Sequence, residues 1–173
     1  MRWILALSAL AVAAGPAAAA LPKGAKAPPI ATTGAIGGKT FKLDLKKQLK
    51  TDVVVLYFFP KAFTKGCTLE AHAFSEAMPE FRKAGAQVIG MSADDLDTLK
   101  KFSTEECRSA FPVATATPTV QKAYDVAWKD RPGLTTRTSY VIARDGRIVM
   151  VHDDLDWSQH VAKTLAAVKA LKR

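Results

Sequence analysis

Cysteine is scarce in this chain of 173 residues, which has only Cys67 and Cys107. Because the two lie far apart in the sequence, the chain lacks the C-x-x-C pair of thioredoxin-like disulfide reductases and isomerases. A copper-binding module would likewise need two closely spaced cysteines. The three histidines, His72, His152 and His160, show no metal-ligand spacing among themselves or with the cysteines, so no metal or other cofactor is expected. Cysteine chemistry here must therefore begin with a thiol that acts singly.

The chain also lacks internal repeats and any concentrated patch of basic charge. Its net charge of +9 comes from scattered lysines and arginines, with small clusters at 46–50 and 169–173. No basic stripe is interleaved with aromatic residues, so binding to nucleic acid is not expected. A solvated basic surface is the simplest interpretation of this charge.

Residues 1–20 differ in composition from the rest of the chain. They contain one charged residue, Arg2, then an apolar stretch and small residues that end at Ala20. This pattern is typical of a secretory signal peptide cut after Ala20, and its apolar part is too short to span a bilayer comfortably. We therefore expect residues 21–173 to form one exported, periplasmic domain without stable insertion in a membrane. Without Arg2, its net charge falls from +9 to +8.

The most informative segment runs from Val53 to Cys67. Its apolar part, Val53–Phe59, is rich in β-branched and aromatic residues and stops at Pro60, which is typical of a central strand covered on both faces. An amphipathic helix is predicted over Cys67–Ala84. A thiol in the first helical turn faces unpaired N–H groups and the positive end of the helix dipole, which favour a thiolate. The segment therefore predicts a reactive cysteine.

The remaining patterns alternate between strands and helices. They predict a hairpin over 36–43, a helical turn over 45–49, a strand over 87–91, a helix from a capping box at Ser92 and Asp95 to Ser109, a strand over 111–115, a short helix over 119–126, paired strands over 137–143 and 147–152, and a closing helix over 157–171. The strand–helix–strand order predicts parallel βαβ units, to which the late hairpin adds antiparallel strands. The expected fold is α/β, with a mixed central sheet flanked by helices.

The spacing P-x-x-x-T-x-x-C, made by Pro60, Thr64 and Cys67, resembles the signature of the peroxiredoxins. GCTLEAHAF at 66–74 and RTSYVIARDGRI at 137–148 are most similar to their bacterioferritin-comigratory-protein branch, also called peroxiredoxin Q. The resemblance covers roughly residues 24–171. It implies a thioredoxin-like fold and a thiol-dependent peroxidase that reduces hydrogen peroxide or organic hydroperoxides without a bound cofactor.

The same resemblance assigns roles to the residues around the thiol. Cys67 would be the nucleophile that attacks the peroxide and becomes a sulfenic acid. Thr64 would point its hydroxyl into the pocket, Pro60 would shield it, and the backbone N–H groups of Gly66 and Cys67 would be further donors. Arg137 would contact both the sulfur and the peroxide, because a guanidinium stabilises the thiolate and donates in a fixed fork.

Two further residues are assigned less directly. Glu70, one helical turn after Cys67, would anchor Arg137. Cys107 is expected near the end of the 95–109 helix, either as the resolving cysteine that attacks the sulfenic acid or as a small core residue; we favour the resolving role. Many relatives carry that cysteine five residues after the nucleophile, where this chain has His72. A disulfide between the two helices would require local unwinding, because bridged Cα atoms lie about 4.4–6.8 Å apart.

The sequence leaves alternatives open for the fate of Cys67. In an exported chain, two cysteines most simply form one disulfide. A permanent disulfide would make Cys67 unreactive, whereas a reversible disulfide would be an intermediate of the catalytic cycle. A one-cysteine peroxidase would be resolved by an external thiol, and a thioredoxin-like protein without peroxidase activity would only bind or exchange thiols. The expected partners are a peroxide and a thioredoxin-like dithiol protein or small thiol, and we expect a monomer.

Overall fold

The structure is a computed structural model that describes residues 20–171, so the predicted signal peptide, apart from its last residue, lies outside the described residues. One sheet holds seven strands, which are β1 Ala31–Ile36, β2 Lys39–Asp44, β3 Val53–Phe58, β4 Ala86–Ser92, β5 Val113–Thr115, β6 Thr138–Ile142 and β7 Ile148–Asp153. The helices are α1 Leu45–Gln48, α2 Lys65–Lys83, α3 Leu96–Glu105, α4 Pro118–Ala123 and α5 His160–Ala170, the last preceded by a 3₁₀ turn at Trp157–Gln159.

The strand order is β2-β1-β5-β4-β3-β6-β7. The three inner strands β3, β4 and β5 run parallel and are joined through α2 and α3, whereas β6, β7, β1 and β2 pair antiparallel with their neighbours. Parallel strands need a crossover between them, and helices supply it here. The mixed sheet flanked by helices confirms the predicted fold class.

Strand β3 lies at the centre because it is apolar on both faces. Val55, Tyr57 and the adjoining Phe59 point into a core shared with α2, α3 and α5. Val54, Leu56 and Phe58 point into the opposite core, under α1 and α4. Side chains of a strand alternate between the faces, so a continuous apolar run fills two cores at once. The chain therefore leaves the sheet at Pro60 from the carboxyl end of a strand that is packed on both faces.

Helix α3 is shorter than predicted. Asp95 caps it by accepting a hydrogen bond from the backbone N–H of Thr98, but the helix ends at Glu105 rather than near Ser109, and Ser92 belongs to β4. Arg108 and Ser109 have φ angles of 51° and 56°, in the left-handed region that a right-handed helix cannot contain. The prediction that places Cys107 within a helix is therefore wrong, because Cys107 lies in the turn that follows α3.

Other boundaries differ by a few residues. Helix α2 begins at Lys65 instead of Cys67, β5 begins at Val113 instead of Phe111, and Arg137 lies just before β6 rather than within it. None of these shifts changes the order of the elements. Between Ala20 and Leu171, no helix is long and apolar enough to cross a membrane.

Candidate active site

The loop between β3 and α2 delivers Cys67 to the first turn of a helix. Phe63, in the middle of the loop, has a φ of 62°, and the N–H of the preceding Ala62 donates to Asp94 at 2.8 Å. Thr64 is the N-cap residue in an extended conformation, and α2 starts at Lys65. Cys67 is thus the third helical residue, where its N–H has no partner within the helix. The side chain of Cys67 is buried, with 1% exposed.

Arg137 reaches this thiol from the position just before β6, the strand that pairs with β3. Its Nη2 lies 3.5 Å from the Sγ of Cys67, and the arginine is itself 5% exposed. β6 pairs with β3, and Phe58 lies opposite Thr138, which places the residue before β6 beside the loop after β3. The two residues that the sequence assigns to one site therefore meet through strand pairing.

Two more contacts fix the guanidinium of Arg137. Its Nε donates to the carbonyl oxygen of Leu155 at 2.9 Å, and its Nη1 donates to the Oε2 of Glu70. The predicted contact between Glu70 and Arg137 is therefore present. With one donor on the sulfur, one on a carboxyl and one on a backbone carbonyl, the plane of the guanidinium is fixed before any substrate binds.

Further buried polar groups lie behind Glu70. Its other oxygen, Oε1, is buried without a hydrogen-bond partner and lies 3.7 Å from Nδ1 of His160. His160 is fully buried, with Nδ1 2.7 Å from the hydroxyl of Ser139 and Nε2 2.9 Å from the carbonyl oxygen of Asp154. Burial raises the pKa of Glu70 to about 8, against the opposing effect of Arg137, and burial lowers the pKa of His160 to about 4. The two side chains thus share one dry environment.

The predicted loop donors take different positions. The hydroxyl of Thr64 donates to the carbonyl of Lys61 at 2.9 Å, so its hydrogen is engaged within the loop. Gly66 packs close to the guanidinium, since a Cβ at this position would lie 3.2 Å from Nη2 of Arg137. Pro60 is partly exposed at the end of β3. Their roles toward a substrate stay predictions.

Cys107 has a different environment. It is fully buried and makes no hydrogen bond through its sulfur among the described contacts, and burial, with Glu106 adding to it, raises the pKa of its thiol far above the ordinary value. Its carbonyl accepts a hydrogen bond from the hydroxyl of Ser75 at 2.9 Å. Ser75 lies about two turns, or about 12 Å, beyond Cys67 along α2. Both thiols are free, and the backbone of Cys107 lies against Ser75, well beyond the first turn of α2 that holds Cys67.

Helix α2 holds the turn after α3 through a set of contacts that we name the α2 clasp. The clasp consists of His72 with Glu106 at 2.8 Å, Ser75 with the Cys107 carbonyl, Arg108 with Glu76 at 3.2 Å, and Arg82 with the Ala110 carbonyl at 2.7 Å. All four residues of α2 face the same turn. The loosening of α2 from its first turn onward would therefore also release Cys107.

Comparison with known proteins identifies this arrangement. The model of the AhpC/TSA family matches residues 23–151. The chain belongs to the AhpC/TSA family. Within that family it is 30% identical to chloroplastic peroxiredoxin Q of Populus jackii over 147 residues, which cover 84% of this chain and 68% of that protein. It is 34% identical to peroxiredoxin Bcp of Escherichia coli strain K12 over 113 residues, or 62% of this chain and 72% of that one. The protein is thus a peroxiredoxin of this branch and a thiol-dependent peroxidase.

Solved structures agree with this peroxiredoxin assignment. Peroxidoxin BcpB of Mycobacterium tuberculosis superposes with a TM-score of 0.78 at 28% identity, covering 87% of this chain and 98% of that one. Peroxiredoxin Q of Xanthomonas campestris gives a TM-score of 0.71 at 27% identity, over 82% and 91% of the two chains. The thioredoxin-like fold predicted from the resemblance is confirmed.

Sequence reasoning missed the groups behind Arg137. It gave His160 no role beyond excluding it as a metal ligand, whereas His160 is buried with both ring nitrogens bonded. It also gave no role to Leu155, whose contribution is a backbone carbonyl and so leaves no trace in the residue type. No local pattern distinguishes His160, because its partners come from α2, β6 and the loop after β7.

Proposed function

We propose that Cys67 is the peroxidatic residue of this peroxiredoxin. Its thiolate attacks the terminal oxygen of a peroxide, the S–O bond forms as the O–O bond breaks, and the alkoxide or hydroxide that leaves takes up a proton as alcohol or water. The sulfur is left as a sulfenic acid, the first stage of cysteine oxidation. The observation that carries this proposal is the 3.5 Å contact between Nη2 of Arg137 and the sulfur.

Arg137 and the start of α2 support both stages of that displacement. A fixed guanidinium next to the sulfur stabilises the thiolate and then the negative charge that moves onto the oxygens. The unpaired N–H groups of Gly66 and Cys67 point along the same helix end. Thr64 contributes its oxygen and Pro60 shields the opening, so that the peroxide displaces little bulk water.

We further propose that Cys107 resolves the sulfenic acid. Attack of its thiol on the Cys67 sulfur forms a disulfide and releases one molecule of water. Because the α2 clasp holds the backbone of Cys107 against Ser75, about two helical turns beyond Cys67, we expect that α2 has to loosen before the bond can form. The strained turn at Arg108 and Ser109 favours release at this point, since left-handed residues with a Cβ are costly.

The disulfide would then be reduced by thiol–disulfide exchange with an external dithiol. A thioredoxin-like protein or a small thiol fits this step, because a bond that displaces helix ends is more oxidising than a structural one. Both cysteines lie in one domain, so a monomer can complete the cycle. The composition of residues 1–20 supports export, with turnover in the periplasm.

Mass analysis of the oxidised protein tests the proposal. One equivalent of peroxide should give a monomer two hydrogens lighter than the reduced form, with Cys67 and Cys107 joined in the peptide map. Cys67→Ser should reduce peroxide consumption to the uncatalysed background. If Cys67→Ser kept its activity, the proposed nucleophile would be wrong; if wild type kept a free Cys107 after turnover, an external thiol would be the resolving group.

Export has a separate test. Intact-mass analysis of the expressed protein should find a chain that begins at Leu21 in the periplasmic fraction. Material that retains Met1 and stays with the membrane would contradict the assignment of a signal peptide.

A further inference from the structure

His160 lies behind the catalytic arginine without touching the sulfur. Its Nε2 must carry a hydrogen, because its partner, the carbonyl oxygen of Asp154, can only accept. In a neutral ring Nδ1 is then an acceptor, and the hydroxyl of Ser139 donates to it. Nδ1 therefore carries no hydrogen, and it offers no donor to Oε1 of Glu70, which lies 3.7 Å away.

Oε1 of Glu70 is the unusual atom in this contact. It is fully buried and has no hydrogen-bond partner. An ionised carboxylate would leave an anionic oxygen without any donor in a dry interior, which is costly. A protonated carboxyl would leave only a neutral group unsatisfied there, and burying a neutral polar group costs less than burying an unpaired charge. The geometry favours the protonated form.

Arg137 links the protonation state of Glu70 to the thiol of Cys67. The guanidinium contacts Glu70 with one nitrogen and Cys67 with another, so an ionised carboxylate and a thiolate would be two buried anions beside one cation. Interacting groups of this kind titrate together, and the presence of one charge disfavours the other. When Glu70 is protonated, the positive charge of Arg137 is not shared with a carboxylate and can stabilise the thiolate of Cys67.

We propose that His160 is a positioning residue that keeps a proton on Glu70 at neutral pH and thereby reserves Arg137 for the Cys67 thiolate. The inference rests on the proposed role of Cys67. The groups that face His160 from all packed elements are consistent with it, since among the described residues neither a cation nor a carboxylate oxygen lies at hydrogen-bond distance from the ring, and Oε1 of Glu70 is 3.7 Å from Nδ1. Those groups are Glu70 on α2, Arg137 and Ser139 at β6, His152 on β7 with its ring centre at 4.5 Å, Lys163 beside His152, and Asp154 and Asp156 in the loop.

A double-mutant cycle tests the inference. His160→Gln keeps an N–H for the Asp154 carbonyl but replaces the hydrogen-free Nδ1 side of the ring by an amide with a second N–H, which can stabilise an ionised Glu70. Glu70→Gln keeps the acceptor for Arg137 without a charge. The ultraviolet absorbance of the Cys67 thiolate is followed against pH, with Cys67→Ser as the blank. His160→Gln should move the midpoint toward higher pH by about one unit. In the Glu70→Gln background the same substitution should move nothing.

His152→Gln is the matched control, because that ring packs on His160 without contacting Glu70, and its midpoint should stay at the wild-type value. A midpoint in His160→Gln equal to wild type, or an equal shift in the Glu70→Gln background, would overturn the inference. If Cys67→Ser is inactive while His160→Gln titrates like wild type, only this inference fails. If Cys67→Ser is active, the proposed function fails instead.

If His160→Gln does not fold, the protonation state of Glu70 can be measured in protein that keeps His160. The infrared difference between wild type and Glu70→Gln at pH 7 should show the carbonyl stretch of a protonated buried carboxyl. A difference spectrum with only carboxylate bands would equally overturn the inference.

Discussion

The two cysteines are equally buried yet stand in opposite surroundings. Cys67 lies at the start of α2 with the guanidinium of Arg137 at 3.5 Å from its sulfur, whereas Cys107 lies beyond the end of α3 beside Glu106. Burial raises the pKa of the Cys107 thiol. A cation and a helix N-terminus, which stabilise negative charge, lie beside Cys67, and Cys107 has neither among the described residues. We therefore expect the partner of each thiol, rather than its exposure, to decide its reactivity in this protein.

Removing the partner should have the largest effect on this contrast. Arg137→Ala is expected to slow the oxidation of Cys67 by peroxide about a hundredfold or more, because one fixed donor to a developing anion contributes that much. Stopped-flow oxidation of the reduced protein measures the rate. Arg147→Ala, which removes an exposed arginine paired with Asp145, serves as the control and should react like wild type. Equal rates in the two variants would contradict the assigned role of Arg137.

Removing the less reactive thiol should affect a later step only. Cys107→Ser should leave the first oxidation unchanged, while turnover with a dithiol protein at tens of micromolar falls about tenfold or more, because a thiol in the same chain acts at an effective concentration of about a millimolar. Under excess peroxide, the trapped sulfenic acid should proceed to sulfinic acid, which mass analysis detects. Wild-type turnover in this variant would make Cys107 a packing residue.

The pH dependence of stability should distinguish the surroundings of Cys67 from those of Cys107. The pKa of Glu70 is raised from 4.5 to about 8 on folding, so the folded state binds the extra proton and stability falls as pH rises toward 8. His160, with its pKa lowered from 6.5 to about 4, acts in the opposite sense and only below 6.5. Between pH 6.5 and 8, urea unfolding should therefore show a loss of about 2 kcal/mol. Glu70→Gln should abolish the loss and Cys107→Ser should retain it; an unchanged loss in Glu70→Gln would exclude this carboxyl as its source.

The smallest expected effect concerns the α2 clasp. Ser75→Ala removes one donor to the Cys107 carbonyl and should destabilise the reduced protein by about 1 kcal/mol. Disulfide formation after the first oxidation should become about fivefold faster, because an opening of that cost precedes it. Quenched-flow trapping of free thiols gives the rate, with Ser158→Ala, a surface hydroxyl bonded to Asp156, as the control. A slower bond in Ser75→Ala would mean that the clasp guides Cys107 rather than restrains it.

The sequence predicts the regions that local patterns specify and misses those that depend on contacts between distant residues. The strand at 53–58 and the helix after it are specified by local apolar patterns, so the setting of Cys67 could be predicted. The end of α3 could not, because the left-handed conformation of Arg108 and Ser109 goes with contacts made by α2, which no local pattern shows. His160 joins the site through a neighbour far away in the sequence and was missed for the same reason. Arg137 was found only because a family resemblance supplies long-range information.

Trp157 gives the first turn of α2 an optical signal of its own. The indole lies next to Gly66, where a Cβ would be 3.8 Å from its Cδ1. Removal of residues 1–20 would leave only Trp128 and Trp157 of the three tryptophans, and Trp128 packs under Arg131 in another loop. The fluorescence of the unlabelled protein should therefore change once when the thiol is oxidised and again when the helix opens. The interval between the two fluorescence changes gives the lifetime of the sulfenic acid without an added label. Trp128→Phe would leave Trp157 as the single source of indole emission in the processed chain.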